Sequence, residues 1–346
     1  MKRVLSTVLS ILLCITLLAS CGPAGDDAGE TAAKITPKNR VFEKTYFNTV
    51  CVFYDYTGGT QERFFELCEL IEAELEICNK LFDIYNDYEG IINIKTINDN
   101  AGGELLAVDS RIVELLTISK EMHAMTDGNV NVAMGAVLSI WHEHRESGVS
   151  VPSMETLLAA AEHTSIDSLV IDSEGGRVGL TDPDASLDVG ATAKGYAAER
   201  VAKLLEANGV YAYALEFGGN LRVGEKVNGD GWVSGIRDPN PLSETGYIRK
   251  LTVKQAALVT SGTYERFYTV GGVRYHHIIN KDTLMPENIY TSVSVMTPSS
   301  AVADALSTAF FNMSVESAQE VIDQIGNTEV TYLFADERII VIRSAG

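Results

Sequence analysis

Hydrophobic positions recur along the chain with two periods, and these periods predict which segments form helices and which form strands. Between residues 60 and 82 the apolar positions are three or four residues apart, which is the spacing of one buried helix face. They are Phe64, Cys68, Ile71, Leu75, Cys78 and Phe82. Residues 41–56 are instead rich in aromatic and β-branched side chains, which favour a strand, and Gly58 and Gly59 end it.

The remaining elements follow from the same patterns and from capping residues. Helices are predicted at 110–125, capped by Asp109 or Ser110, at 193–208, closed by Gly209, and at 300–312 and 315–325. Strands are predicted at 186–189, 211–217, 221–223, 232–236, 251–260, 274–279, 291–296, 330–334 and 339–343. Because strands and helices do not alternate regularly, we expect an α+β fold with mixed or antiparallel sheets and packed helices.

The first twenty residues have the pattern of an export signal. Lys2 and Arg3 precede an apolar run over residues 4–20, which is short for a membrane span. The run ends in Leu-Ala-Ser-Cys-Gly (18–22), which resembles a bacterial lipobox. The alternative is an ordinary signal peptide followed by a coincidental cysteine.

On the lipobox interpretation, Cys21 carries a diacylglycerol and the mature protein is anchored to a bacterial cell membrane, facing the extracytoplasmic side. Residues 21–40 are mostly small or polar and are expected to form a flexible tether. The domain organisation is then a signal peptide at 1–20, the tether at 21–40 and a single folded unit at 41–346, within which no repeat or second linker is visible.

Composition and charge narrow the classes of partner. Of the 346 residues, 46% are hydrophobic and 21% are charged, which is typical of a globular protein. The formal net charge of −20 argues against nucleic-acid binding, which requires basic patches, and against docking on anionic lipid by charge alone. Five cysteines are too few for a disulfide scaffold.

The segment Ser-Leu-Asp-Val-Gly-Ala-Thr-Ala-Lys-Gly-Tyr (186–196) is the first candidate for chemistry. A strand leading through a glycine turn into a helix presents free amide N–H groups that attract anions, and Lys194 adds a positive charge. The alternative is a tight turn with a solvated lysine. The chain has neither a GxxxxGK[ST] loop nor a GxGxxG sequence after a strand, so a nucleotide would bind here in another way.

Asp304 and Thr308 are the second candidate, because residues four apart on a helix share one face. A carboxylate and a hydroxyl are hard ligands that suit Mg²⁺. The alternative is a hydrogen bond between the two side chains on a polar helix face.

A pair of histidines is the third candidate. His276 and His277 lie on a predicted strand, so only one of them faces a given cleft, and imidazole suits a general base near neutral pH. The alternative is one structural and one exposed histidine. His142 and His144, on either side of Glu143, are interpreted as part of a solvated segment.

Taken in chain order, these segments resemble the ApbE family, the FAD:protein FMN transferases, over about residues 41–325. Phe-Asn-Thr (47–49) stands where the family has Met-Gly-Thr, and residues 188–196 match Asp-Leu-Gly-Gly-x-Ala-Lys-Gly-Tyr. Phe-Gly-Gly-Asn (217–220) resembles the family's Gly-Gly-Asp. Further matching segments are 81–85, 92–98, 126–131, 236–239, 260–266, 277–280 and 303–308.

The chain departs from the family pattern where carboxylates are expected. Ile92 and Asn93 replace a Ser-Glu pair, Asn131 replaces an aspartate, and Asn280 replaces the acidic residue of the family's His-x-x-Asp-Pro segment.

The resemblance implies a T-fold-related architecture and a set of site residues. His277 would be the catalytic base, and Mg²⁺ would be held by Asp304, Thr308 and the backbone carbonyl of Ala191. The residues that would contact FAD are Phe47, Tyr85, Asn129, Val130, Asn131, Asp188, Lys194 and Ile279.

The reaction implied by the resemblance is Mg²⁺-dependent transfer of FMN from FAD to a threonine or serine hydroxyl of an exported or membrane redox protein, with release of AMP. Two alternatives remain open. One is a pyrophosphatase that cleaves FAD to FMN and AMP with water, and the other is a flavin- or substrate-binding lipoprotein without enzymatic activity.

Overall fold

An antiparallel sheet of eight strands forms the centre of the protein, whose computed structural model describes residues 40–226 and 228–345. In chain order the strands are β1 (Val41–Tyr46), β2 (Thr49–Asp55), β3 (Leu106–Ala107), β4 (Leu169–Asp172), β5 (Arg177–Leu180), β6 (Tyr213–Phe217), β7 (Asn220–Val223), β8 (Trp232–Arg237), β9 (Tyr247–Val253), β10 (Ala257–Gly262), β11 (Phe267–Val270), β12 (Val273–His276), β13 (Tyr290–Thr297), β14 (Glu329–Phe334) and β15 (Ile339–Arg343). The central sheet has the order β1-β2-β6-β7-β10-β13-β14-β15.

Helices cover this sheet, and smaller sheets flank it. In chain order the helices are α1 (Gln61–Leu81), α2 (Ile94–Asp99), α3 (Ser110–Met125), α4 (Gly135–Ser147), α5 (Met154–Ala161), α6 (Ala193–Ala207), α7 (Ser300–Phe311) and α8 (Val315–Ile325). The smaller sheets are β3-β5-β4, β8-β9 and β11-β12, and the strand pairings within them are also antiparallel. The predicted α+β class with antiparallel sheets and packed helices is therefore confirmed.

Two apolar clusters form most of the core. The first joins α1 and α6 to strands β2 and β6 and includes Phe53, Leu75, Val201 and Leu215. The second joins α7 and α8 to strands β10, β13 and β14 and includes Val259, Val295, Phe310, Ile322 and Val330. Helix α6 packs directly against α7, so these two helices connect the two clusters.

A glycine makes the close contact between α6 and α7 possible. A Cβ atom on Gly195 would lie 2.3 Å from the carbonyl oxygen of Ser300 and 2.5 Å from the Cβ of Asp304. Both distances are shorter than van der Waals contact, so only glycine fits at this crossing. The α6 backbone is thereby brought within hydrogen-bond reach of the Asp304 side chain.

The predicted helices agree with the structure to within one or two residues, because their caps are present in the sequence. The side chain of Thr60 accepts a hydrogen bond from the backbone N–H of Arg63 (3.3 Å), and that of Asp109 accepts one from Arg111 (2.9 Å). Gly209 has a φ of 75° just after α6, as the C-terminal cap predicts.

Four strand predictions are wrong in detail. Residues 41–56 form two strands, because Phe47 and Asn48 take φ values of 53° and 55° and reverse the chain in a two-residue hairpin. Residues 251–260 are also divided, at Gln255, whose φ is 44°. Residues 186–189 form a loop that makes a single bridge to Met134, and the strand predicted at 274–279 ends at His276.

Helix α4 was not predicted from the sequence, and it includes the segment 142–144 that was predicted to be solvated. Its Trp141 is buried, and the indole Nε1–H donates a hydrogen bond to the carbonyl oxygen of Leu284 (2.9 Å). The neighbouring His142 and His144 are both half-buried and Glu143 between them is exposed, so the segment is only partly solvated, in keeping with a helix that buries one face.

The chain enters the described structure at Arg40, which the sequence assigned to the tether. This prediction is wrong for Arg40, because its guanidinium is buried, pairs with Asp55 and bonds the carbonyl oxygens of Gly59 and Thr60. The signal peptide, Cys21 and the rest of the tether lie outside the described residues. Among the residues described, no helix is long and apolar enough to cross a membrane.

We expect Gly195→Ala to destabilise the protein by about 3 kcal/mol, because the added methyl group meets fixed backbone in the α6–α7 contact. Gly209→Ala is the matched control: its Cβ would meet nothing within 4 Å, so only its left-handed φ costs stability, about 1 kcal/mol. Urea unfolding of both variants measures the difference. Equal losses would contradict this account of the helix crossing.

Candidate functional site

The loop before α6 is held in place by backbone and side-chain hydrogen bonds rather than by a sheet. The amide side chain of Asn98 bonds both the N–H (2.7 Å) and the carbonyl (2.9 Å) of Leu187. The N–H of Asp188 donates to the carbonyl of Val132 (2.8 Å), and its carboxylate accepts from the N–H of Gly190 (2.8 Å). The loop therefore delivers Ala191 and the first turn of α6 in a defined position.

Asp304 lies buried against that first turn. Its Oδ2 accepts a hydrogen bond from the N–H of Gly195 (2.8 Å) and lies 3.5 Å from the Nζ of Lys194. Its Oδ1 accepts a hydrogen bond from the Nδ2 of Asn220 (3.3 Å). The sequence allowed a hydrogen bond between the side chains of Asp304 and Thr308, but Asp304 bonds α6 and β7 instead. Thr308 lies one turn later on α7 and is half-buried.

The oxygen atoms around Asp304 suit a hard cation as ligands. Asn220 is almost fully buried, yet its Oδ1 has no hydrogen-bond partner among the described residues, so an oxygen donor beside Asp304 is unsatisfied. Ala191 packs against the same apolar cluster as α7, which brings the loop before α6 close to α7. Carboxylate, hydroxyl and carbonyl oxygens in this arrangement fit Mg²⁺.

Hydrogen bonds distinguish the two adjacent histidines. His276 is buried, its Nε2–H donates to the carbonyl of Glu287 (2.9 Å), and its Nδ1 accepts from the N–H of Ile278 (3.2 Å). Both nitrogens are therefore occupied, and His276 is structural. His277 follows the end of β12 and uses only its Nδ1–H, which donates to the carbonyl of Arg266 (3.2 Å).

A carbonyl oxygen can only accept, so Nδ1 of His277 carries the proton and Nε2 keeps its lone pair. Burial, together with the positive charges of Arg266 and Lys194, lowers the pKa of His277 from 6.5 to about 3. The ring is thus neutral at physiological pH, which is the state that a general base requires. Lys194 influences this pKa because the two residues lie within electrostatic reach of each other.

The turn between β1 and β2 lies next to the same site. The N–H of Phe47 donates to the Oδ1 of Asn79 on α1 (2.8 Å), and the carbonyl of Phe47 accepts from the guanidinium of Arg266 (3.5 Å). These contacts support a left-handed φ that a phenylalanine rarely adopts. Tyr85 is exposed and packs its ring on His142, with ring centroids 5.2 Å apart.

Comparison with known proteins identifies the family. The model of the ApbE family matches residues 45–333. A FAD:protein FMN transferase of Treponema pallidum is 30% identical over 263 residues, which are 71% of this chain and 72% of that protein. Another, from Klebsiella pneumoniae, is 27% identical over 80% of this chain and 87% of its own length.

The chain belongs to the ApbE family.

Solved structures of the family have the same architecture. The crystal structure of the ApbE protein from Thermotoga maritima superimposes with a TM-score of 0.76 at 27% identity, covering 88% of this chain and 96% of that one. The flavin transferase ApbE from Vibrio cholerae, at 23% identity, gives a TM-score of 0.72 and shows the fold alone. The resemblance stated from the sequence motifs is confirmed.

In this ApbE family member, the asparagine side chains of the segment 129–131 bond backbone carbonyls outside the segment. The Nδ2 of Asn129 bonds the carbonyl of Thr126 (2.9 Å), and the Nδ2 of Asn131 bonds that of Thr164 (2.9 Å). Val130 is buried, and so is Ile279, whose carbonyl accepts from Asn312 (3.3 Å). A cavity of about 370 Å³ lies beside the segment and is lined by Asn131.

A second group of potential metal ligands consists of residues that do not contribute to the surroundings of Asp304. His163, Asp182 and Asp184 are partly exposed or exposed, and the Nδ1–H of His163 donates to Asp182 (2.9 Å). This hydrogen bond raises the pKa of His163. An ordinary surface ion pair therefore accounts for the group.

Several residues that build the site were not recognised in the sequence as functional. Asn98 and Asn220 lie within the matched motifs, so the sequence could draw attention to them. It could not show that they bond Leu187 and Asp304. Asn79 is one polar residue on an amphipathic helix, and no pattern in the sequence relates it to Phe47. The pairing of Arg266 with both His277 and Phe47 depends on the fold.

We expect the pH dependence of stability to report the neutral state of His277. Because its folded pKa lies below the value of 6.5 in the unfolded chain, only the unfolded chain takes up a proton as pH falls from 6.5 towards 3. The free energy of unfolding is therefore unaffected by protonation of His277 above pH 6.5, and it falls below pH 6.5 by at most about 1.4 kcal/mol per pH unit.

Urea unfolding of the wild type and of His277→Gln between pH 5 and 8 measures this effect. His276 also has a lowered pKa, but it titrates in both proteins, so the difference isolates His277. The wild type should lose more stability than the variant below pH 6.5. Parallel curves would refute the assignment of a neutral imidazole with a lowered pKa.

Proposed function

We propose that the protein transfers FMN from FAD to a threonine or serine hydroxyl of an acceptor protein and releases AMP, in a reaction that depends on Mg²⁺. The observation that carries this proposal is a neutral histidine with a free Nε2 within electrostatic reach of Lys194, which itself pairs with the buried Asp304. The curated relatives, named FAD:protein FMN transferases, support the same reaction.

The pyrophosphate of FAD binds where the protein offers positive charge, which Lys194 supplies at the start of α6 in a chain that is acidic overall. The N–H groups of Ala193 and Gly195 already bond Val189 and Asp304, so the first turn of α6 contributes its dipole rather than these donors. The flavin and adenosine parts contact Phe47, Tyr85, Asp188, Ile279 and the segment 129–131. The support for these contacts is the family motif at each position and the location of Phe47 beside Arg266 and His277.

Asp304, Thr308 and the carbonyl of Ala191 would hold the metal ion. When bound, Mg²⁺ supplies charge neutralisation for phosphate oxygens. The unsatisfied Oδ1 of Asn220 supports the placement of a cation here, because a buried amide oxygen without a partner is costly.

His277 removes the proton of the acceptor hydroxyl through Nε2 while Arg266 holds the ring through Nδ1. The hydroxyl oxygen forms a bond to the FMN phosphorus, and the bond from that phosphorus to the bridging oxygen breaks, so that AMP leaves with the electron pair. The proton on Nε2 then passes to AMP or to solvent. The protein contributes positioning and charge stabilisation, as is usual in phosphoryl-type transfer.

We expect the folded unit, incubated with FAD, Mg²⁺ and an acceptor protein, to add the mass of FMN to the acceptor and to release AMP in equal amounts. Removing Mg²⁺ with EDTA or introducing Asp304→Asn should reduce the rate by 100-fold or more, on the order of the loss of a charged transition-state contact. Glu316→Gln, an exposed carboxylate on α8, is the matched control and should leave the rate unchanged.

The products distinguish transfer from its alternatives. AMP released without labelling of any of several acceptors would favour the pyrophosphatase, in which water replaces the hydroxyl. Tight flavin binding that is unaffected by EDTA and by Asp304→Asn, with no AMP released, would favour a binding lipoprotein.

We further propose that a lipid on Cys21 anchors the protein to the bacterial cell membrane on its extracytoplasmic side. The basic flank, the apolar run and the lipobox support this location. Cys21→Ser expressed in a bacterial host should move the protein from the membrane fraction to the soluble fraction and abolish lipid labelling, whereas Cys14→Ser should do neither. Membrane retention of the Cys21→Ser protein would contradict the anchor.

A further inference from the structure

Arg266 connects two parts of the site that are far apart in the sequence. It lies between β10 and β11, where its carbonyl accepts the Nδ1–H of His277 (3.2 Å) and its guanidinium donates to the carbonyl of Phe47 (3.5 Å). One residue thus orients the proposed base and reaches the turn between β1 and β2. The bond to Phe47 is long, so most of the donor capacity of the guanidinium is unused.

The positive charge of Arg266 is not neutralised by a nearby carboxylate. Within the described part of the chain, no Asp or Glu oxygen lies within 4.0 Å of its guanidinium. Its neighbour Glu265 pairs with Arg237 instead, at 3.4 Å. In a chain with a formal charge of −20, an unpaired arginine beside the proposed catalytic base marks a position suited to an anion.

The field of Arg266 extends over the site residues. It contributes to lowering the pKa of His277, and it opposes the burial that raises the pKa of Tyr85. Arg266 thus adds positive potential at both residues, although its own side chain is exposed to solvent. Lys194 acts on His277 as well, so two cations, from separate elements, lie within electrostatic reach of the base.

We propose that Arg266 is a further catalytic residue that binds a phosphate oxygen of the FMN half of FAD. This inference rests on the proposed function. The attacked phosphorus must lie near Nε2 of His277, because the proton of the incoming hydroxyl is transferred there. The backbone carbonyl of Arg266 holds His277, so the guanidinium of the same residue is well placed to donate to the oxygens of that phosphate. Lys194, on α6, supplies the second positive charge.

The chemistry favours arginine for this position. Guanidinium N–H groups match two phosphate oxygens at once, and they stabilise the charge that these oxygens carry as the new bond forms. The incoming hydroxyl oxygen bonds to phosphorus and AMP departs, as in the proposed reaction, and Arg266 neither gains nor loses a proton.

Binding of FAD, FMN and riboflavin, followed by flavin fluorescence in the presence of Mg²⁺, tests the proposal without relying on turnover. Arg266→Gln should weaken FAD and FMN binding by about 10- to 100-fold, the usual effect of losing a charged hydrogen bond. Riboflavin, which has no phosphate, should bind or compete with FAD equally well in variant and wild type. Arg237→Gln, the paired arginine nearby, is the matched control.

A purely structural role would give a different result. If Arg266 only supported the Phe47 turn, the variant would lose riboflavin and FMN affinity to the same extent, and that outcome would overturn the proposal. Unchanged FAD binding would overturn it as well. In the transfer assay, Arg266→Gln should lower kcat, and Arg266→Lys should restore part of it. Wild-type protein that binds FAD but transfers no FMN would count against the proposed function. The comparison of FMN with riboflavin binding would still decide whether Arg266 contacts the phosphate.

Discussion

The hydrogen bond between Asp304 and the N–H of Gly195 is the contact on which the site depends. It is made where α6 and α7 cross, at a position that only a glycine can occupy. The same crossing joins the two apolar clusters of the core and brings Lys194 to the carboxylate. A buried aspartate is costly unless its oxygens are bonded, and here the end of a helix, a lysine and an asparagine satisfy them. A substitution that changes the packing of α6 on α7 therefore also changes the position of the Asp304 carboxylate.

Regular periodicity made most of the fold predictable. The helices at 61–81, 110–125 and 300–311 follow from apolar spacing and from capping side chains, which act within a few residues. Two of the strand errors occurred where residues with a left-handed φ, at Phe47–Asn48 and at Gln255, change the direction of the chain. Phe47 adopts a left-handed conformation against its own preference, because Asn79 and Arg266, 32 and 219 residues away, bond its backbone. Local sequence contains no signal for such distant support.

The loop at 186–192 illustrates the same limit for the site. Its apolar residues suggested a strand, but Asn98 takes both backbone groups of Leu187 and leaves little for a neighbouring strand. Motifs could indicate Asp304, Lys194 and His277, since their chemistry is carried by residue type. The strand pattern by itself left His276 and His277 as alternatives, and only the family motif implied His277. The physical reason for that choice, the ring nitrogen that stays free, exists only in the folded chain.

The buried pair of Arg40 and Asp55 has a mechanical consequence. Arg40 stands at the first residue of the described structure, next to edge strand β1, and it also bonds the backbone at the start of α1. The carbonyl of the same residue also accepts a hydrogen bond from the N–H of Asp55 (3.2 Å), so the pairing of β1 with β2 begins at Arg40. Separating β1 from β2 at this end would therefore also break the buried ion pair and the side-chain bonds to Gly59 and Thr60. The first strand is in this way fastened to both β2 and α1.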